Sequence, residues 1–171
     1  WSFDLVGIFT ARDPKQKGVE RQLFFSWDYF IEANGYDMKD AGEPTGSAYL
    51  ARRHPRGFGA LTHRFEMTKP LIAAVNGVAV GGGFELALAC DVLVASRSAV
   101  FADTHARVGI LPGWGLSVKL PRLVGVNRAK LISFTGNYVS AEEAERWGLL
   151  ARVVPVDALL PTCRALARDM L

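Results

Sequence analysis

The chain has 171 residues, half of them hydrophobic and 22% charged. This excludes a wholly disordered protein and fits one domain with a real core. Twenty Lys and Arg against 17 Asp and Glu leave a net charge of +3, too slight to demonstrate a nucleic-acid partner, although anionic ligands stay open. Cys90 and Cys163 lie far apart and form neither a metal-type pair nor a disulfide framework, which makes a reducing compartment the default. The longest apolar stretch, Leu71 to Leu88, is interrupted by Asn76, the Gly81-Gly82-Gly83 triplet and Glu85, so no membrane span is expected. Trp1 to Thr10 lacks a basic leader and a cleavage signature. A first residue of Trp rather than Met leaves open a fragment, a processed product or a lost targeting segment.

Leu5 to Thr10 reads as a strand. The polar stretch Ala11-Arg-Asp-Pro-Lys-Gln-Lys-Gly18 follows as a turn. The aromatic cluster Leu23-Phe-Phe-Ser-Trp-Asp-Tyr-Phe-Ile31 is a short helix or strand, which periodicity does not decide. Residues 41–58 are a loop rich in Gly and Pro with a short helix at Ala48 to Arg53. Phe58 to Met67 is predicted helical and closed by Pro70. Leu71-Ile-Ala-Ala-Val75 is a buried strand ended by Asn76-Gly77. Val78 to Val80 leads into Gly81-Gly82-Gly83, and Phe84 to Cys90 is a helix. Asp91 to Ala95 and Ala99 to Ala102 are strands. Ser117 to Leu123 and Arg128 to Thr135 are helices, the second stopped by Gly136. Ser140-Ala-Glu-Glu143 is a capping box that starts a helix at Ala141 to Trp147, with Gly148 as its C-terminal glycine. Val153-Val154 is a strand, and Asp157 is placed to cap a last helix, Leu159 to Leu171. Strands alternating with helices argue for an α/β fold.

The glycine triplet running into a helix is the strongest local signal. Without side chains the backbone turns sharply and admits a close ligand. The first N–H groups of a helix lack internal partners and carry partial positive charge, so a carbonyl oxygen gaining charge is stabilised there. Glu85 stands in the same first turn, either for catalysis or simply to complement the helix dipole. No Lys-Ser/Thr follows, as a phosphate-binding loop requires, and Gly-x-Gly-x-x-Gly is absent there.

Lys69-Pro-Leu-Ile-Ala-Ala-Val-Asn-Gly-Val-Ala-Val-Gly-Gly-Gly-Phe-Glu-Leu-Ala-Leu-Ala-Cys-Asp91 closely resembles the signature of the enoyl-CoA hydratase/isomerase (crotonase) family. The resemblance continues through Phe101-Ala-Asp, Gly109-Ile-Leu-Pro-Gly113, Leu123-Val-Gly125, Ala129-Lys-Leu, Thr135-Gly136, Ala141-Glu-Glu-Ala and Gly148-Leu-Leu-Ala-Arg-Val-Val154. Upstream, Gly35-Tyr-Asp-Met-Lys-Asp40 is similar to the family's Gly-Ala-Asp-Leu-Lys-Glu element. These motifs occur in order over residues 35–171.

The resemblance implies a crotonase-type α/β spiral of ββα units, apparently truncated at both ends. Residues 1–34 form an atypical segment that does not match the family's opening strands. Residues 35–171 form the core domain without the C-terminal helical region. The implied ligand is an acyl-CoA thioester whose carbonyl is polarised by two backbone N–H groups, which fall on Tyr36 and Gly82. Tyr36 replaces a usual small residue, so its ring narrows the pocket while its N–H survives. Gly35, Asp37, Met38, Lys39, Gly81, Pro112 and Gly113 are the implied substrate and CoA contacts. Of the family's paired carboxylates, one matches Glu85. The position of the other holds His105, which exchanges protons near neutral pH, or else is a loop histidine with a structural hydrogen bond. Asp103, two residues earlier, reads as a structural acceptor.

Arg52, Arg53, His54 and Arg56, with Lys39, are either a solvated loop or an attractor of CoA phosphates, and Lys39 is the more specific of them. Trp114 lines an acyl tunnel or is a core or turn aromatic, and Cys90 is a core residue. Phe24, Phe25, Trp27, Tyr29 and Phe30 belong to the core or to an exposed patch. The expected function is hydration of 2-enoyl-CoA. Double-bond isomerisation is the nearest enzymatic alternative. A non-catalytic acyl-CoA binder, including an inactive fragment, is the rival of a different class, and RNA binding is a third reading because some relatives bind RNA. No metal, nicotinamide or flavin motif is present, so the only coenzyme expected is the CoA of the substrate. The family further implies a homo-oligomer, trimer or hexamer, in the cytoplasm or mitochondrion.

Overall fold

The computed structural model describes the backbone of Leu5–Ile8, residues 61–63 and residues 69–170. The strands are β1 (Leu5–Ile8), β2 (Ile72–Val75), β3 (Val78–Val80), β4 (Val92–Ser96), β5 (Val100–Ala102), β6 (Val139–Ser140) and β7 (Arg152–Val154). The helices are α1 (Gly82–Ala89), α2 (Leu116–Val124), α3 (Val126–Thr135), α4 (Ala141–Arg146) and α5 (Leu159–Asp169), with 3₁₀ turns at Ala106–Val108 and Val156–Ala158. The Gly35-to-Asp40 element, the aromatic cluster, the basic loop and the helix read at Ala48 to Arg53 lie outside the described residues. Of the helix read at Phe58 to Met67, only Leu61 to His63 are described, and they form a turn.

A strand that is apolar at every position needs cover on both faces. β2 lies between β1 and β4 in a four-stranded parallel sheet of order β1-β2-β4-β7. All four of its residues are buried. Side chains alternate across the sheet, so Ala73 and Val75 join Leu93 and Ala95 of β4 in the main core, with Phe84, Leu86 and Leu116. Ile72, Ala74 and Val94 point the other way and pack with Leu159 and Cys163 of α5. The second sheet has order β3-β5-β6, with β3 and β5 parallel and β5 and β6 antiparallel. The run β2-β3-α1 is thus one strand–strand–helix unit of the expected α/β fold, with its two strands in different sheets.

Helix α1 is enclosed. Every residue from Gly83 to Ala89 is buried, and the Phe84 ring stands 5.4 Å from that of Phe101 on β5. Cys90 is buried just beyond it, as its place in the core requires. The helix begins at Gly82 rather than Phe84 because Gly81 alone makes the turn, at φ +50° and ψ −122°. That conformation is open to glycine at little cost.

Most other expected elements stand within a residue or two of their sequence boundaries. Gly136 and Gly148 take positive φ, 62° and 83°, behind α3 and α4. Ser140 Oγ accepts from Glu143 N–H at 3.2 Å, the first half of the capping box. Strand β6, two residues long, is not evident in the sequence; it pairs with the distant β5. Asp157 does not cap α5: it lies inside the 3₁₀ turn behind Pro155, and Ala158 is the N-cap with no side-chain bond. Among the described residues no helix is long and apolar enough to cross a membrane.

Phe84 and Phe101 are the largest fully buried side chains among the described residues. Phe84→Ala should lower stability by about 3–5 kcal/mol, read as a fall in the urea midpoint at unchanged slope. A loss below about 1 kcal/mol would contradict this packing.

Candidate active site

Three segments meet at the N-terminal end of α1. The first is the glycine turn. Gly81 N–H donates to the Ala102 carbonyl at 3.2 Å, which ties the turn to the end of β5. A Cβ on Gly81 would stand 3.5 Å from Thr104 Oγ1 and 4.0 Å from His105 Cε1. Both are ordinary van der Waals distances, so the positive φ rather than a shortage of space calls for glycine here. Glu85 N–H donates to the Gly81 carbonyl at 3.0 Å, the first bond of the helix. The N–H groups of Gly82, Gly83 and Phe84 precede that bond, and such groups are the donors a helix start offers to a ligand.

The second segment, which follows the Gly109-to-Gly113 turn, is Trp114 to Leu116 at the start of α2, and it holds Glu85. Its side chain is fully buried, with 0% exposure. Oε1 accepts from Trp114 N–H at 2.7 Å and from Leu116 N–H at 3.2 Å. Leu116 is the first residue of α2, behind Gly115 at φ +112°, so the carboxylate does what an N-cap side chain would do for that helix. Glu85 stands in the first turn of α1, where it complements that helix's dipole, and it also contacts a second helix. Oε2 has no hydrogen-bond partner among the described residues. Burial raises the carboxyl above its ordinary range, opposed by the Trp114 and Leu116 N–H groups and the nearby His105, and aided by Asp103.

The third segment brings that histidine. His105 Nε2 lies 3.6 Å from Glu85 Oε2, facing its unpartnered oxygen. On the far side of the ring, Nδ1 lies 2.6 Å from Asp103 Oδ1, which also accepts from His105 N–H at 3.1 Å. Both residues are buried, His105 at 6% and Asp103 at 1% exposure. Two residues on, Arg107 straps the turn to the end of α3, donating from Nε to the Thr135 carbonyl at 3.2 Å and from Nη2 to Asn137 Oδ1 at 2.9 Å.

Of the residues singled out in the sequence, Glu85, His105 and Gly81 come together here, with Gly82 opening α1 beside them. Pro112 and Gly113 lead directly into Trp114, whose N–H holds Glu85. Gly35, Tyr36, Asp37, Met38 and Lys39 lie outside the described residues. Sequence reasoning missed the two backbone donors, since any residue type supplies an N–H. Asp103 is an acceptor, as its place in the sequence suggested, and its donor is His105.

Whole-sequence comparison shows the family. The profile of the Enoyl-CoA hydratase/isomerase family covers residues 29–171. The chain belongs to the enoyl-CoA hydratase/isomerase family. A carnitinyl-CoA dehydratase from Salmonella paratyphi A is 46% identical over 136 residues, which are 80% of this chain and 51% of that protein. An enoyl-CoA hydratase structure from Mycobacterium avium is 59% identical and superposes with a TM-score of 0.60 over 60% of this chain and 46% of its own. One from Bacillus anthracis is 40% identical, with a TM-score of 0.67 over 78% of this chain and 51% of its own. The chain spans about half the length of the curated relatives it matches. The crotonase fold inferred from the motifs is therefore the fold of this family member.

In this family member the raised Glu85 carboxyl has a consequence for stability. A carboxyl that holds its proton more tightly when folded makes folding less favourable as pH rises from the ordinary glutamate range through the folded value. Glu85→Gln stays neutral and still accepts from Trp114 and Leu116. It should melt at the same temperature as the unmodified chain at acid pH and at an equal or higher one at mildly alkaline pH. Calorimetric scans at both pH values check this, and a lower melting temperature for Glu85→Gln on the alkaline side would contradict it.

Proposed function

We propose that this chain binds acyl-CoA thioesters and adds water across the 2,3 double bond of a 2-enoyl-CoA. The supporting observation is the buried pairing of Glu85 and His105: one carboxylate oxygen is fixed by backbone donors, and the other faces an imidazole nitrogen at 3.6 Å. Hydration needs one group to take a proton from water and another to give one to the α-carbon. Glu85 is the base. As the water oxygen bonds to C3, an O–H proton passes to Glu85 and the π electrons move to the thioester oxygen as an enolate. His105 then protonates C2. The enolate oxygen is held by the Gly82 and Tyr36 N–H groups in this reading, worth several kcal/mol when donors are already aimed. The CoA moiety is part of the substrate, no other cofactor is used, and the working form is a homo-oligomer.

Isomerisation would need only one group carrying a proton between carbons, so it would use Glu85 without His105. A histidine set against that carboxylate favours hydration. Loss of crotonyl-CoA absorbance tests the proposal. Glu85→Gln and His105→Gln should each lower kcat by about 10²- to 10⁴-fold with smaller effects on KM. Undiminished turnover in Glu85→Gln would refute the mechanism. Acyl-CoA binding heat without turnover in the unmodified chain would make the protein a binder instead.

A further inference from the structure

The geometry points to Asp103 as a positioning residue that locks His105 in the tautomer protonated on Nδ1, so that His105 and Glu85 work as a pair sharing one proton. The catalytic part of this inference rests on the hydration proposed above; the tautomer does not.

Asp103 Oδ1 accepts the His105 backbone N–H at 3.1 Å and lies 2.6 Å from Nδ1 of the same residue. A carboxylate oxygen already serving as acceptor takes a second donor, which places the proton of the short contact on Nδ1. The nitrogen left to face Glu85 is Nε2, 3.6 Å from an oxygen with no other partner among the described residues. With no proton between them, two lone pairs would oppose each other in a buried site. With two protons, two donors would. One proton is the matched state, since an unpaired buried polar group is costly.

That single proton is also the inventory the reaction needs. With it on Nε2, His105 is an imidazolium neutralised by Asp103, and Glu85 is free to act as base. During hydration Glu85 gains a proton from water while Nε2 loses one to C2. Transfer from Glu85 Oε2 to Nε2 then restores the pair, with no net gain or loss of protons by the protein. In the opposite tautomer, a neutral imidazole would point an N–H at the carboxylate, and Asp103 Oδ1 would face a bare Nδ1.

Nitrogen NMR of ¹⁵N-histidine-labelled full chain tests the assignment. Three histidines are present, and the His105 signals are identified by their loss in His105→Gln. The inference requires a protonated Nδ1 in the unmodified chain. Asp103→Asn replaces the anionic acceptor with a neutral one that holds an Nδ1 proton less strongly, so the population should move toward the Nε2–H form, whose proton faces Glu85. The kcat for crotonyl-CoA hydration should then fall at least about tenfold with KM little changed. An unprotonated Nδ1 in the unmodified chain, or a tautomer indifferent to Asp103→Asn, would overturn the positioning role. If Asp103→Asn does not fold, the tautomer of the unmodified chain decides alone. A chain that shows the tautomer and its switch but hydrates no crotonyl-CoA upholds Asp103 and contradicts the proposed function.

Discussion

Removing the Glu85 carboxylate from water costs several kcal/mol unless hydrogen bonds replace the lost hydration. Two backbone N–H groups replace part of it, and they come from a different helix start. This constraint organises the surroundings. α1 must be enclosed for the acid to be dry, which requires its glycine turn to approach β5 and the segment after it. The turn around Pro112 and Gly113 must then present Trp114 and Leu116 N–H groups inward. Because only Oε1 is held, Oε2 is left with unmet hydrogen-bonding capacity, directed at His105.

The consequence is a division of labour within one carboxylate. The pinned oxygen fixes orientation and ties α1 to α2. The other oxygen is left without a hydrogen bond among the described residues at some cost to the fold, which suits the base role proposed for it. Arg107 and Asp103 do the corresponding work for the histidine: one fastens the turn to α3, and the other holds the ring. A site assembled from a glycine-started helix, a helix N-terminus and a strapped turn has little freedom to drift, which is what the proposed proton transfer demands.

Much of the fold was legible because its signals are local. The all-apolar Leu71-to-Val75 run announced a strand covered on both faces. Ser140 and Gly148 marked the ends of α4 through capping chemistry. What failed depended on distant partners or on a local competitor. β6 exists only because β5 is there to pair with, and Asp157 lost its capping place when the chain after Pro155 tightened into a 3₁₀ turn. In the site, Glu85 stood out as the one charge in the helix Gly82–Ala89. Its placement beside His105 came from the family resemblance rather than from periodicity. The Trp114 and Leu116 donors were invisible because the backbone carries no residue-type signature, whereas Asp103 is the acceptor that the sequence suggested, with His105 as its donor.

The account stands on the claim that burial outweighs the hydrogen bonds at Glu85. ¹³C NMR of glutamate-labelled chain, followed over pH with the Glu85 carboxyl signal identified by its loss in Glu85→Gln, measures this directly. The account predicts a titration midpoint above the ordinary glutamate range. A midpoint at or below that range would show that the two N–H groups and His105 dominate, and would contradict it.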